Sequence, residues 1–204
     1  MKPGAHIFTA AILAGGRGRR LGGVDKSAIA IGAGSILDRQ VGLLRALTPH
    51  ILIVDRDRSR VRIPDVDVIV DCIAGAGALG GLYTALDAAP TEQVLVIACD
   101  MPFLTAPFLE HVVARGASVE AAVPRDVHGR HPLCASYRRE SAARLLARIT
   151  RGELRVLEAI ADLDVHEIGP DELAAFDPEG RLLLNVNTPD DYRMAADLES
   201  PRRT

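Results

Sequence analysis

Four basic side chains, Arg17, Arg19, Arg20 and Lys26, share one short stretch with five glycines, LAGGRGRRLGGVDK, residues 13–26. Glycine lets backbone N–H groups approach a ligand closely and point at one spot. With the added positive charge, that is chemistry for holding a polyanion, a nucleoside triphosphate above all. Leu13, Ala14, Gly15 and Gly16 are the backbone contacts expected of such a loop. Lys26 is a flexible point charge that can follow charge developing on phosphate, and Arg20 a planar fork that can grip two phosphate oxygens. Arg17 and Arg19 read equally well as exposed solubilising charge. Two better-known phosphate loops do not fit. A Walker A loop needs glycine directly before its Lys-Ser pair, where this chain has Asp25, and Gly16-Arg17-Gly18 is followed three residues later by Leu21, which breaks G-x-G-x-x-G.

The complementary chemistry is acidic. Asp100 follows an apolar run and precedes Met101-Pro102. A carboxylate there is a hard oxygen ligand, and Mg²⁺ on a triphosphate takes one or two carboxylates plus phosphate oxygens. An aspartate can also cap the next helix, but Thr105-Ala106-Pro107 is the better cap, which favours the metal. Asp71 ends another apolar run. No Ser-His-Asp or Cys-His arrangement accompanies these residues, and His128 and His131 taken alone read as loop histidines.

The elements that must position these groups alternate. Apolar runs at Ile7–Leu13, Ile51–Val54, Val66–Val70, Val94–Cys99 and Val119–Val123 have the length of buried strands. Between them lie helical patterns over Ser35–Leu47 (Leu37, Val41 and Leu44, with Ser35 as N-cap), Leu82–Ala89 and Ala106–Arg115. Residues 125–137 read as a hairpin or loop feeding a strand at Leu133–Tyr137. Helices follow around residues 142–149 and 154–161, then a strand at Asp164–Ile168, and Pro189 opens a last helix. Strand-helix alternation predicts an α/β fold with a mostly parallel sheet. In such sheets ligands bind beyond the carboxyl ends of the strands. The loop at 14–26, Asp71 and Asp100 each follow a strand directly, so one shared site at one sheet edge is expected.

Composition narrows the function class. With 204 residues and 48% hydrophobic content, one well-packed domain is expected, residues 1–115 as the nucleotide half and 116–204 as the acceptor half. A net charge of −3 offers no global basic field for nucleic acid, and seven aromatics without Trp offer few stacking platforms. Cys72, Cys99 and Cys134 form no C-x-x-C pair, pointing to reduced thiols in the cytoplasm. No apolar run has transmembrane length, so no membrane partner is expected.

Taken in order, LAGG, RRLGG and DK resemble the signature of nucleotidyltransferases, and the nearest subgroup is the molybdenum cofactor guanylyltransferases. Cys99-Asp100-Met101-Pro102 is similar to that family's D-x-P element, whose aspartate holds Mg²⁺. Gly77-Ala78-Leu79-Gly80-Gly81 is similar to its G-P-L-A-G stretch beside the base and ribose, which brings Asp71 and Gly80 into the nucleotide site. Asn185-Val186-Asn187-Thr188-Pro189 resembles N-V-N-T-P, and Arg130-His131-Pro132-Leu133 resembles the R-x-P-L segment near the acceptor. Two positions depart from the pattern: Ala78 stands for proline, and Asp55 follows the second strand where asparagine is common. The resemblance runs from Ala10 to about Tyr192. It implies a Rossmann-like three-layer fold of the nucleotide-diphospho-sugar transferase type, and transfer of GMP from GTP to the terminal phosphate of molybdopterin with release of pyrophosphate. Lys26, Arg20 and Asp100 would then be catalytic, Asp100 the Mg²⁺ ligand, and Asn185, Asn187, Arg130 and His131 the acceptor side. A monomer making transient contacts with cofactor-biosynthesis or acceptor proteins is expected. The rival readings are a molybdopterin cytidylyltransferase, a sugar-phosphate nucleotidyltransferase and, in a different class, a non-catalytic nucleotide-binding regulator.

Overall fold

A computed structural model describes residues 7–15, 30–31, 34–61 and 63–199. Gly16, Arg17, Arg19, Arg20 and Lys26 lie outside the described residues. The first strand, β1 (Thr9–Leu13), is followed by a two-stranded antiparallel ribbon, β2 (Ala30–Ile31) and β3 (Gly34–Ser35). Next come α1 (Ile36–Arg45), β4 (His50–Asp55), β5 (Asp67–Val70), α2 (Gly77–Ala88), β6 (Gln93–Ala98) and α3 (Ala106–Arg115). The chain then forms β7 (Ala121–Asp126), β8 (Gly129–Arg130), β9 (Cys134–Arg138), α4 (Ala142–Thr150) and α5 (Val156–Ala159). It ends with β10 (Val165–Ile168), α6 (Pro170–Ala174) and α7 (Pro189–Glu199).

One sheet runs β10-β7-β9-β6-β1-β4-β5, with β8 pairing at the end of β7. The pairs β6–β1, β1–β4, β4–β5 and β7–β10 are parallel, and β9 runs antiparallel between β6 and β7. Along each central strand the apolar residues alternate between two cores. Ala10, Ile12, Ile51, Ile53, Leu95 and Ile97 face the core under α1 and α3. Ala11, Leu52, Val54, Val94 and Val96 face the core under α2 and α4. These strands lack polar alternation because both sides are covered, as parallel sheets require. The result is three layers with the sheet between helices.

Helix α1 shows how sequence sets position. The Ser35 hydroxyl accepts the Asp38 N–H at 3.0 Å. Such a cap contributes about 1 kcal/mol. Burial of Leu37, Val41 and Leu44 contributes roughly 1.5–3 kcal/mol each, so packing holds the helix and the cap sets its start. Helix α2 begins at Gly77, five residues before the expected Leu82, because Gly80 and Gly81 sit inside it as close-packing positions. Glycine costs a helix about 1 kcal/mol each, and tertiary burial outweighs that here. No helix among the described residues is long and apolar enough to cross a membrane.

Candidate active site

The carboxyl ends of β1, β4, β5 and β6 open on one cleft of about 330 Å³. Leu13 and Gly15 reach it from β1, Asp55 and Arg56 from β4, Asp71 from β5, and Ala98, Cys99 and Asp100 from β6. Gly77, Ala78 and Gly81 close one side from the start of α2. Residues far apart in sequence therefore meet where the strand-end argument puts them. Ala14 is buried just behind this surface, its N–H bonded to the Val54 carbonyl at 2.8 Å.

Asp71 is held in place by its own turn. Its Oδ1 accepts the Ile73 N–H at 3.1 Å and the Thr84 hydroxyl of α2 at 3.3 Å, while its N–H donates to the Asp55 carbonyl at 2.8 Å. Gly80 is buried behind this turn and does not line the cleft. A β-carbon there would sit 2.8 Å from Ala76 Cβ, 3.1 Å from the Ile73 carbonyl and 3.3 Å from Asp71 Oδ1. Gly80→Ala would gain about 1 kcal/mol of helix propensity but incur an overpacking cost of roughly 1–3 kcal/mol. Net destabilisation is expected, with weaker nucleotide binding because the Asp71 turn must move. Denaturant unfolding checks it, and an unchanged midpoint would contradict the packing argument.

Asp100 is positioned through main-chain bonds. Its carbonyl accepts the Val186 N–H at 2.8 Å, the Cys99 N–H donates to the Leu13 carbonyl at 3.2 Å, and the Ala98 N–H donates to the Leu133 carbonyl at 2.7 Å. Gln40, fully buried on α1, donates from Nε2 to the carbonyls of Ala98 and Met101 at 2.8 and 3.1 Å. The turn carrying Asp100 is thus tied to β1, the residue before β9, α1 and the segment before α7. It does not cap α3, whose N-cap position is Thr105, although the Thr105 side chain makes no capping bond.

Asp100 also lines a second cavity of about 280 Å³, with Met101, Arg130, His131, Pro132, Asn185 and Asn187. The Asn-Val-Asn alternation explains the two asparagines. Val186 is buried beside Ile36 and Ala195, while Asn185 and Asn187 on either side of it line the cavity. The helix start is satisfied without them. Thr188 Oγ1 accepts the Asp191 N–H at 3.1 Å, and Asp191 Oδ2 accepts the N–H groups of Asn187 and Thr188 at 2.8 Å each, a reciprocal capping box. Arg130 is committed in part, its Nε donating to Glu167 Oε2 at 2.9 Å. Hydrogen bonds from Arg125 and Arg130 hold the Glu167 carboxyl below the usual range. His131 Nε2 lies 2.9 Å from Asp126 Oδ2.

One contributor had little signal in sequence, and a second was marked only as a departure from the family pattern. Gln40 looks like any polar helix residue until its partners are seen. Asp55 is fully buried, and its Oδ1 accepts the Arg56 N–H at 2.6 Å and an Arg60 N–H at 3.4 Å. Its Oδ2 is buried and accepts no hydrogen bond among the described residues.

As for metal, no group of three or more His, Cys, Asp or Glu side chains among the described residues could hold an ion. Asp100 and Asp71 in one cleft suit a cation that shares its ligands with a triphosphate, since Mg²⁺ is usually bound through one or two carboxylates plus substrate phosphates.

Comparison with known proteins gives the same picture. The family described as MobA-like NTP transferase domain matches residues 10–165. A probable molybdenum cofactor guanylyltransferase of Chloroflexus aggregans is 34% identical, over 92% of this chain and 93% of its own. One from Pelotomaculum thermopropionicum is 30% identical, over 96% and 95%. The crystal structure of molybdopterin-guanine dinucleotide biosynthesis protein A from Archaeoglobus fulgidus superposes with a TM-score of 0.81 at 28% identity, covering 93% of this chain and 97% of that one.

Proposed function

The chain belongs to the MobA-like NTP transferase family, the nucleotidyltransferases, and on that premise we propose that it transfers GMP from GTP to the terminal phosphate of molybdopterin, releasing pyrophosphate. The observation that carries this reading is the shared position of Asp100. It lines both the cleft at the ends of β1, β4, β5 and β6 and the neighbouring cavity of Asn185 and Asn187. A donor phosphate in the first and an acceptor phosphate in the second would meet at that carboxylate.

In the reaction an acceptor phosphate oxygen attacks the α-phosphorus of GTP. The new P–O bond forms as the bond to the β-phosphate bridge oxygen breaks, and pyrophosphate leaves with the electron pair. The acceptor is already ionised, so no general base is needed, and the work is alignment and charge neutralisation. Leu13, Ala14, Gly15 and Gly16 border the nucleotide with main-chain groups, and Asp71 and Gly80 shape its base and ribose side. Arg20 and Lys26 take charge on the phosphates and the leaving pyrophosphate. Asp100 would hold Mg²⁺, which when bound neutralises phosphate charge and orients the chain of phosphates. Asn185 and Asn187, with Arg130 and His131, hold the acceptor phosphate for in-line attack. Cys72, Cys99 and Cys134, none of them in a disulfide, agree with action in the cytoplasm.

Guanine is favoured by the glycine-rich edge of the cleft, where Gly15, Gly77 and Gly81 let main-chain groups approach a base closely. Guanine offers the O6 acceptor together with the N1–H and N2–H₂ donors, a set no other common base presents. A site built for those donors rejects adenine, because its buried polar groups would be left unpaired. With molybdopterin as acceptor and equal Mg²⁺, pyrophosphate release is expected to give a specificity constant for GTP well above those for CTP and ATP. A CTP value equal to or above that for GTP would overturn the guanylyltransferase reading, and no release with any nucleotide would leave a binding protein.

A further inference from the structure

We propose that the cavity between the β7–β8 hairpin and the 170–184 segment receives the pterin ring of the acceptor, with Asp126 reading its amino-pyrimidine edge. The inference rests on molybdopterin being the acceptor. Three cavities lie in series along the carboxyl edge of the sheet. The nucleotide cleft and the asparagine cavity share Ala98, Asp100 and Leu133. The asparagine cavity and a third, of about 390 Å³, share His131 and Asn185. A molecule whose phosphate lies at Asp100 and Asn187 can therefore extend past His131 into the third cavity.

The lining of that third cavity suits a flat heterocycle. Val127, Pro170, Leu173 and Leu183 supply apolar walls, and the volume falls within the roughly 300–1,000 Å³ of small-molecule sites. Val127, at the hairpin tip, is 88% exposed, so it has no share in the core. Two carboxylates border the space. Asp177 accepts the Arg181 and Leu182 N–H groups at 2.7 and 2.9 Å, one on each oxygen, and lies in the 170–184 segment away from the asparagine cavity's lining. Asp126 is the carboxylate in contact with His131, which lines both cavities. Its Oδ1 accepts the His128 N–H at 2.8 Å and its Oδ2 faces His131 Nε2 at 2.9 Å. Each carboxylate oxygen has about two acceptor sites, so one remains on each. Two parallel N–H donors, the ring N–H and amino group of a 2-amino-4-oxo pyrimidine, match that pair in bidentate fashion. Burial tends to raise Asp126, but hydrogen bonds from His131 and the His128 N–H, with the charge of both imidazoles, outweigh it and keep the group ionised.

The test is steady-state kinetics with GTP and molybdopterin on the full chain. Asp126→Asn and Val127→Glu are each expected to raise the KM for molybdopterin about tenfold or more, which corresponds to about 1.4 kcal/mol, with the KM for GTP unmoved. The Val127 variant guards against a disturbed hairpin, since that side chain is exposed. Wild-type turnover with unchanged acceptor KM in both variants would overturn the pterin cavity alone, as would an equal rise in the KM for GTP in Val127→Glu. No wild-type turnover with molybdopterin would overturn the acceptor reading and this inference with it.

Discussion

Asp100→Asn is expected to lower Mg²⁺-dependent turnover by a factor on the order of 10²–10³, the range seen when one group stabilising transition-state charge is lost. The amide keeps the shape of the carboxylate and loses the charge that binds a hard cation. The fold should survive, because the bonds described for the turn run to its main-chain groups. The Val186 N–H donates to the Asp100 carbonyl and the Cys99 N–H to the Leu13 carbonyl, and neither involves the side chain. Turnover across a Mg²⁺ titration, read beside a thermal melt, checks both halves. Full activity with unchanged metal dependence would remove Asp100 from the chemistry.

Lys26→Ala is expected to reduce kcat by a factor on the order of a hundred, with a smaller change in the KM for GTP. An ammonium that follows charge onto the leaving pyrophosphate stabilises the transition state more than the ground state, and such a loss appears in kcat. Lys26→Arg should recover only part of the rate, since a planar guanidinium cannot track a moving charge as a point ammonium does. Saturating single-turnover measurements decide. A near wild-type rate in Lys26→Ala would show that Lys26 binds phosphate passively or not at all.

Much of the architecture was legible in the sequence because the strands are buried on both faces. Runs such as Ile51–Val54 and Val94–Cys99 have no polar alternation, and a short bounded apolar run in an alternating chain reads as a central parallel strand. The bounds of α3 followed from Thr105 and Pro107, and the start of α7 from Thr188 and Pro189. Helix α2 was harder. Glycine is a poor helix former, so Gly77, Gly80 and Gly81 read as loop; only the contacts behind Gly80, at the Asp71 turn, explain a helix there. The direction of β9 was not legible either, since an apolar run packs equally well parallel or antiparallel. Within the site, Asp71 and Asp100 were marked by strand ends. Gln40 was not, because its partners, the carbonyls of Ala98 and Met101, lie far along the chain. The pairing of Arg130 with Glu167 was hidden for the same reason.

The bond from the Val186 N–H to the Asp100 carbonyl has a consequence for the order of assembly. It joins the last part of the chain to its middle, so a nascent chain that has just finished β6 and α3 holds the Asp100 turn without its last tether. Domains form largely as synthesis proceeds from the N-terminus, and contacts of long sequence separation close late. The β1, β4, β5 and β6 ends are brought together by the parallel pairs of the sheet, whereas the second cavity is complete only once Asn185 and Asn187 have docked. The wall that Asn185 and Asn187 give the second cavity thus depends on a contact that reaches from position 186 back to the turn after β6.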